Sequence, residues 1–200
     1  MFYRTDTNQH GLRHDPFKAL IAPRPIGWIG SKGRDGSINL APYSFFNAVH
    51  DKPKIIMFSS EGRKDSVRNA EETGVFTTSI VTIELTEAMN ASSASVGYGV
   101  SEFAIAGLTP VPGQAVDAPY VGEALAALEC RVTEIIQPCD VEGRKLEAYI
   151  VFGQVVGIHI KDSIISDGLI DMSKAVSVAR LGYNDYTAVE HVFSMRRPII

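Results

Sequence analysis

Residues 23–47 read PRPIGWIGSKGRDGSINLAPYSFFN, two short apolar runs joined by a glycine-rich connection. The connection KGRDG contains the Asp-Gly pair that favours a β-hairpin turn, so the flanking runs are predicted to be paired strands, at residues 26–31 and from Ser37 onward. Pro42 in the second run cannot donate to a sheet ladder, so it marks an edge, a bulge or the end of that strand. The aromatic and polar side chains of NLAPYSFF suit a flat aromatic ligand.

Arg24 lies between Pro23 and Pro25 at the start of this stretch. Each proline fixes its own φ angle, and Pro25 also biases Arg24 towards an extended conformation. The backbone is therefore expected to hold the guanidinium in place. Two interpretations follow, a contact with an anion or cofactor and a salt bridge at the surface.

The remaining apolar segments predict further strands. KIIMFSS contains the apolar run Ile55–Phe58, which predicts a strand buried on both faces. Residues 74–83 form a β-branched run, and residues 124–136 and 147–160 are two long apolar stretches joined by a charged turn. Long strands joined by hairpins favour a β-barrel, and the helix-like segments are too few and too badly spaced for a doubly wound parallel sheet. The predicted fold is mainly β with a few short helices, in one domain over residues 1–200.

Short helical segments separate some of these strands. Residues 64–73, KDSVRNAEET, have helical composition and are followed by Gly74 at the C′ position. Residues 84–95 and 102–106 also have helical propensity. The stretch from 97 to 122 is otherwise rich in Gly and Pro, and it is interpreted either as a lid or dimer-contact loop or as a simple irregular connection.

The charge balance excludes two classes of partner. With 19 basic and 23 acidic residues the formal charge is −4, so the chain offers no basic field to nucleic acid or to anionic lipid. The N-terminal residues contain no apolar signal core, and no apolar run is long enough to span a bilayer. We therefore expect a cytoplasmic protein without nucleic-acid or membrane partners.

The cysteines and histidines form no metal or catalytic pattern. Cys130 and Cys139 stand in no CxxC pair, and the histidines show neither metal-ligand spacing nor a triad pattern, so no metal site is predicted. His159 lies between two isoleucines; it is a candidate for proton delivery near a ligand, and the alternative is a half-buried hydrogen-bonding residue. Three C-terminal residues are open to two interpretations, ligand contact or packing of the terminal segment: Arg180, Tyr183 and Tyr186.

The junction between the strand ending in FSS and the following helix is rich in hydrogen-bond donors. Unpaired N–H groups and the dipole of a helix N-terminus favour an anion such as a phosphate monoester. Taken alone, residues of these types are interpreted as helix caps and solvated charges. The donors are Ser59, Ser60, Arg63, Lys64 and Ser66.

Taken in order, PRPIGWIGS, DGSINLAPYSFFNAV, a strand ending in FSS and KDS at a helix start resemble the flavin reductase-like family of FMN-binding split barrels, which includes flavoredoxin-like proteins. SEFAIAGLT, LEC and a C-terminal RLG extend the resemblance over nearly the whole chain. The resemblance implies a Greek-key split β-barrel that forms a homodimer and binds FMN non-covalently near the subunit interface.

Carried over residue by residue, the resemblance implies that NLAPYSFF lines the flavin ring and ribityl chain and that the FSS and KDS residues bind the phosphate. Asp65 would fix the phosphate loop, and Arg63 is a further candidate for the phosphate. Ser66 stands where many relatives have Thr, a change that keeps the hydroxyl. The predicted cofactor-binding residues are Arg24, Trp28, Asn39, Ala41, Pro42, Ser44, Phe46, Ser59, Ser60, Lys64, Asp65 and Ser66.

The implied reaction is hydride transfer from NADH or NADPH to FMN, followed by electron delivery to free flavin, a metal centre or a partner protein. Because the flavin carries this chemistry, no catalytic side chain is required. Two alternatives stay open. One is an FMN-binding electron-transfer module that does not itself use NAD(P)H, since the sequence has no Rossmann fingerprint that would decide the matter. The other is a split barrel that has lost flavin and serves in assembly.

Overall fold

The structure is a computed structural model that describes residues 1–199, and most of its regular structure is β, as predicted. Several of the strands are only two or three residues long. The strands are β1 (Arg24–Pro25), β2 (Gly27–Lys32), β3 (Ile38–Tyr43), β4 (Phe46–Asp51), β5 (Lys54–Glu61), β6 (Val75–Ser79), β7 (Pro110–Pro112), β8 (Pro119–Val121), β9 (Ala126–Ile136), β10 (Ala148–Ile160), β11 (Ile165–Ser166), β12 (Leu169–Ile170), β13 (Val178–Arg180) and β14 (Tyr186–Ala188).

The α-helices are short, and three of them lie in segments predicted to be helical. None of the helices in residues 1–199 has the length and apolarity needed to cross a membrane. Single 3₁₀ turns occupy Ile83–Leu85 and Asp162–Ile164. The helices are α1 (Phe17–Leu20), α2 (Asp65–Thr73), α3 (Thr86–Ala91) and α4 (Glu102–Ile105).

Seven strands form one antiparallel sheet whose order is β3-β2-β6-β9-β10-β5-β4. β3 and β4 are its two edges, yet only Ser44 and Phe45 lie between them in the chain. The three Cα–Cα steps from Tyr43 to Phe46 span at most about 11 Å, whereas a flat sheet of this order would separate its edges by about 28 Å. The sheet must therefore curl until its edges meet. The result is a curled half-barrel sheet, and we call the place where the end of β3 meets the start of β4 the seam.

The hairpin predicted from the sequence is confirmed. β2 and β3 pair in antiparallel register from Gly27 opposite Tyr43 to Lys32 opposite Ile38. Gly36 in the turn has a φ of 86°, a left-handed conformation that glycine adopts without strain. Pro42 lies in β3, an edge strand of the sheet, which agrees with its lack of a backbone donor.

β2 is buried on both faces. Consecutive side chains of a strand point to opposite sides, so its two faces pack against different parts of the core. On one side Trp28 belongs to a core cluster with Leu40 and Phe103, and α3 and α4 contribute to that cluster. On the other side Ile29 packs in a second cluster with Phe58, to which α2 contributes. The hairpin is thus the layer between the helices, and β3 lies beside both α2 and α4.

Two predicted strands differ from the structure. In β5, Ile56 and Phe58 are buried whereas the alternate residues Ile55 and Met57 are half-buried, so the predicted burial on both faces is wrong. Only one face of β5 packs in the second core cluster. The strand predicted over 74–83 ends at Ser79, before the 3₁₀ turn.

Candidate functional site

The first part of the site is the N-terminal end of α2. Lys64 precedes the helix in an extended conformation, and its side chain does not cap the helix. Gly74 ends the helix in the left-handed conformation and donates its N–H to the carbonyl of Ala70 at 3.0 Å, so the predicted end is confirmed. The first-turn N–H groups have no intrahelical acceptors, and the helix dipole makes this end attractive to an anion.

A cavity of about 280 Å³ lies between this helix end and β3, and we call it the β3–α2 cavity. The residues of segment 92–96 and Glu102 complete its wall. The structure therefore brings together, in one cavity, two groups of residues that the sequence predicted separately. The predicted residues that line it are Asn39, Ala41, Pro42, Lys64, Asp65 and Ser66.

Two Asn–Ser hydrogen bonds fasten α2 to the hairpin. Asn39 donates from Nδ2 to Ser66 Oγ at 2.9 Å, and Asn69 donates from Nδ2 to Ser31 Oγ at 3.1 Å. Ser31 and Asn39 are partners across the β2–β3 ladder, while Ser66 and Asn69 lie one helical turn apart. All four residues are buried. The helix end is therefore held in a fixed position relative to β3.

The charges around the cavity are unevenly paired. Lys64 is the only basic residue that lines it within residues 1–199. The Asp65 carboxylate is bound by Arg68 of the same helix, with Nη2 and Oδ1 2.5 Å apart. Arg63, a further candidate, instead pairs with Glu71 at 2.5 Å and does not line the cavity. Lys64 is thus the cation available to a ligand at the helix end.

Glu102 is a site residue that the sequence reasoning missed. It is only 5% exposed although it lines the cavity. Its Oε2 accepts a hydrogen bond from the Leu40 N–H at 3.0 Å, and burial raises the pKa of its carboxyl. The residue lies in SEFAIAGLT, which contributed to the family resemblance but carried no assigned role. Its contact with β3 depends on how α4 packs against that strand, and the sequence around Glu102 does not predict this packing.

Tyr43 was also missed, although it directly follows Pro42. It lines the cavity, and its ring packs 4.9 Å from that of Phe58. Burial raises the pKa of its phenol, and the hydroxyls of Ser66 and Ser60 work against that rise. The phenol is therefore neutral at physiological pH. It brings an uncharged hydroxyl close to Ser66 at the helix end.

Trp28 does not contact the cavity, which corrects the predicted cofactor contact. Its side chain has no exposed surface, and it lies in the first core cluster. Its Nε1 donates to Ser92 Oγ at 2.9 Å, and Ser92 lines the cavity. Trp28 therefore supports the wall from behind instead of touching a ligand.

Arg24 is likewise directed away from the cavity. Its guanidinium donates to the carbonyls of Lys18, Ile21 and Leu181, the last two at 2.9 and 2.8 Å. It therefore joins the N-terminal region to the RLG segment, and neither the predicted cofactor contact nor the surface salt bridge is seen. With three backbone carbonyls as partners, it has a structural role.

Four other predicted residues lie around the seam but do not line the β3–α2 cavity. Phe46 covers the backbone of Gly27, where a Cβ would lie 2.4 Å from its ring. Ser60 is buried and donates to the carbonyl of Gly62 at 2.9 Å. The four residues are Ser44, Phe46, Ser59 and Ser60.

His159 lies in a different cluster and is a half-buried hydrogen-bonding residue. Its Nε2 bonds the buried Glu129, and its ring stacks on Tyr120 with centroids 4.4 Å apart. His159 does not line the β3–α2 cavity. In the terminal segment, Arg180 stacks on Tyr186 and donates to the carbonyl of Tyr183, so packing is the interpretation that the structure favours there.

Comparisons with known proteins find a family model and relatives that match most of the chain. A family model described as a flavin reductase like domain matches residues 20–179. An uncharacterized protein of Halalkalibacterium halodurans is 36% identical, over 94% of this chain and 93% of that protein. One from Aquifex aeolicus is 34% identical, over 84% of this chain and 85% of that protein.

Two solved structures superpose closely. Nitrilotriacetate monooxygenase component B from Bacillus cereus has a TM-score of 0.88 at 27% identity, covering 98% of this chain and 99% of that one. Flavoredoxin of Desulfovibrio vulgaris has a TM-score of 0.80 at 27% identity, covering 94% and 95%. The mainly β fold of this chain is therefore shared over nearly the full length of both structures.

Proposed function

This chain belongs to the flavin reductase-like family of FMN-binding split barrels, and from that premise we propose that it is an FMN-containing oxidoreductase that passes hydride from NADH or NADPH to its flavin. The reduced flavin then delivers its electrons to free flavin, a metal centre or a partner protein. The proposed location of the protein is the cytoplasm. The family match supports flavin as the cofactor, and the residues that line the β3–α2 cavity support its placement there.

The cavity fits the two ends of FMN. The phosphate carries close to two negative charges and takes charge-assisted hydrogen bonds, and the uncapped end of α2 with Lys64 and Ser66 provides donors for it. Ala41 and Pro42 on β3 provide the small apolar wall that a flavin ring needs. Asn39 joins the two parts through its bond to Ser66. This juxtaposition is the observation that supports FMN at this site.

When bound, FMN supplies the hydride and electron chemistry. The residues of the chain bind and orient it. Lys64 and the α2 end hold the anionic end, while the Asn39–Ser66 bond keeps the strand and the helix in fixed relation. Segment 92–96 borders the cavity from the other side. None of these tasks requires a nucleophile or a general acid.

The proposed assembly is a homodimer. A groove of about 500 Å³ between the end of β10 and the C-terminal region is lined almost wholly by apolar side chains. Monomeric proteins rarely expose contiguous apolar patches of this kind, and a second copy of the chain is the proposed occupant. The exposed residues of the groove include Ile158, Ile160, Ile170 and Met172.

Sedimentation of the purified protein tests the dimer. We expect a dimer at micromolar concentration, and Ile170→Asp should shift it to monomer because a carboxylate would be buried in an apolar interface. A monomeric wild-type protein would contradict the proposed dimer but would leave the proposed FMN site unaffected.

A second candidate function is an FMN-binding electron-transfer module that does not itself use NAD(P)H. The likeness to a flavoredoxin supports this alternative. The two candidates share the cofactor and differ in the reductant that they accept.

Anaerobic reduction separates them. The apoprotein is titrated with FMN, and the complex is then treated with NADH, with NADPH or with dithionite while the flavin absorbance is recorded. Bleaching by a nicotinamide dinucleotide supports the reductase. Bleaching by dithionite alone overturns it in favour of the electron-transfer module, and failure to bind FMN overturns both.

A further inference from the structure

The Glu102 carboxylate faces the β3–α2 cavity from a wall that the predicted FMN residues do not supply. One oxygen, Oε2, accepts the Leu40 N–H, and within residues 1–199 no side chain donates to the other, Oε1. The residue is nine-tenths buried and yet borders the cavity. Because Oε1 is not enclosed by the protein but borders the cavity, it can accept a hydrogen bond from a ligand that occupies the cavity.

The position of Glu102 along the cavity identifies the part of the ligand that it meets. Its backbone partner is Leu40, which stands between Asn39 and Ala41 in β3. Asn39 is bonded to Ser66 at the anion-binding end, while Ala41 leads to the apolar wall. Glu102 therefore lies between the two ends of the cavity.

The group of FMN between ring and phosphate is the ribityl chain, which carries three hydroxyl donors. A carboxylate oxygen cannot accept a hydrogen bond from an ionised phosphate or from a flavin carbonyl, because neither has a proton to donate. The ring N3–H is a donor too, but it lies on the ring, whereas Glu102 lies between the two ends of the cavity. Resting on the proposed function, we propose that Glu102 accepts a hydrogen bond from a ribityl hydroxyl and so selects flavins that carry a polyol chain. Burial raises the pKa of its carboxyl, although the backbone N–H groups of Leu40 and of Glu102 itself act to lower it.

The test measures the affinities of FMN, riboflavin and 10-pentylflavin, whose side chain has the same length without hydroxyls. Glu102→Gln keeps the shape and an acceptor for the Leu40 N–H but removes the charge. It should weaken riboflavin about tenfold, the difference between a charge-assisted and a neutral hydrogen bond, and leave 10-pentylflavin unchanged. FMN should lose less than riboflavin, because the substitution also removes a negative charge near the phosphate.

Lys64→Ala is the matched variant, since it should weaken FMN and spare both uncharged flavins. Equal losses for riboflavin and 10-pentylflavin in Glu102→Gln, or no loss for either, would overturn the assignment of Glu102. Should that variant unfold, the wild-type protein alone decides: it must bind riboflavin about tenfold more tightly than 10-pentylflavin. Equal wild-type affinities overturn this inference and leave the proposed function intact, whereas a wild type that binds no flavin overturns both.

Discussion

The guanidinium of Arg68 stacks on the ring of Tyr98, with Cζ 3.6 Å from the ring centroid. Arg68 also binds Asp65 at the start of α2, and the Tyr98 hydroxyl lies 3.1 Å from both Asp35 Oδ1 and Ser37 Oγ in the hairpin turn. Tyr98 thus fastens the segment that borders the β3–α2 cavity to the helix and to the hairpin at once.

We predict that Tyr98→Ala loosens residues 92–100. An exposed cation–π contact contributes about 0.5–1 kcal/mol, so amide hydrogen exchange in this segment should become roughly two- to fivefold faster. Tyr98→Phe keeps the stacking and should change exchange less. Tyr183→Ala, another half-exposed tyrosine, is the control and should leave the segment unaffected. Equal effects of the Ala and Phe variants would show that the hydroxyl, not the ring, holds the segment.

Lys64→Ala is expected to weaken FMN about ten- to hundredfold, the loss of one charge-assisted contact of about 1.5–3 kcal/mol. Riboflavin, which lacks the phosphate, should bind as before, and isothermal titration with each flavin measures the difference. Arg63→Ala is the matched control, because Arg63 is paired with Glu71 and lies outside the cavity. If both flavins lose equally in Lys64→Ala, the lysine does not meet the phosphate.

Trp28, the single tryptophan, should report flavin binding without taking part in it. Its bond to Ser92 places it directly behind the cavity wall, so FMN should quench its fluorescence by energy transfer. In Trp28→Phe the flavin should still bind, as measured by quenching of flavin fluorescence, while stability to urea falls by about 1–3 kcal/mol. Loss of flavin binding in a folded Trp28→Phe protein would contradict its placement in the core.

Glu129 should stabilise the fold in a pH-dependent way. Burial alone would raise the pKa of its carboxyl, but the N–H groups of Gln114, Ala115 and Val116 together with His159 hold that pKa below its ordinary value. A lowered native pKa contributes stability above the pKa of the unfolded chain, and that stability is lost as the pH falls through the native value.

Glu129→Gln should therefore cost about 1.5–3 kcal/mol at neutral pH, and the cost should shrink in acid below about pH 4. Urea unfolding of both proteins across this range measures it. Glu134→Gln, at an exposed position of the same strand, should cost little at either pH. If Glu129→Gln lowers the free energy of unfolding by the same amount at every pH, the N–H groups of residues 114–116 do not depend on the negative charge of the Glu129 carboxylate.

The elements that the sequence predicted well are those set by local chemistry. The β2–β3 turn needs a left-handed glycine, which Gly36 provides, and α2 ends where Gly74 allows it. The family resemblance implied that Asn39 and Ser66 belong to one cofactor site, but it did not predict their hydrogen bond, and no local pattern joins residues that far apart.

The residues that were misassigned depend on long-range packing. From its neighbouring prolines, Arg24 was predicted to be a cation held in place for a ligand or a salt bridge. In the structure, one of its partners is the carbonyl of Leu181, 157 positions away. Trp28 was predicted to be an aromatic side chain in contact with the cofactor, but residues of α3 and α4 cover the face of β2 on which it lies. Glu102 was missed for the same reason, because its partner Leu40 lies 62 positions earlier. Sequence patterns show which face a side chain takes but not what covers that face.

The seam leaves the outer edge of β3 without a strand partner. Strand pairing joins neither β3 nor β4 to the other edge, and the two-residue link of Ser44 and Phe45 is the covalent connection between them. Because β3 also forms a wall of the β3–α2 cavity, that wall is held by the β2–β3 ladder and by the Asn39–Ser66 bond, and not by pairing with β4. The shape of the cavity is therefore set by the hairpin and by α2, and it does not depend on closure of the sheet between β3 and β4.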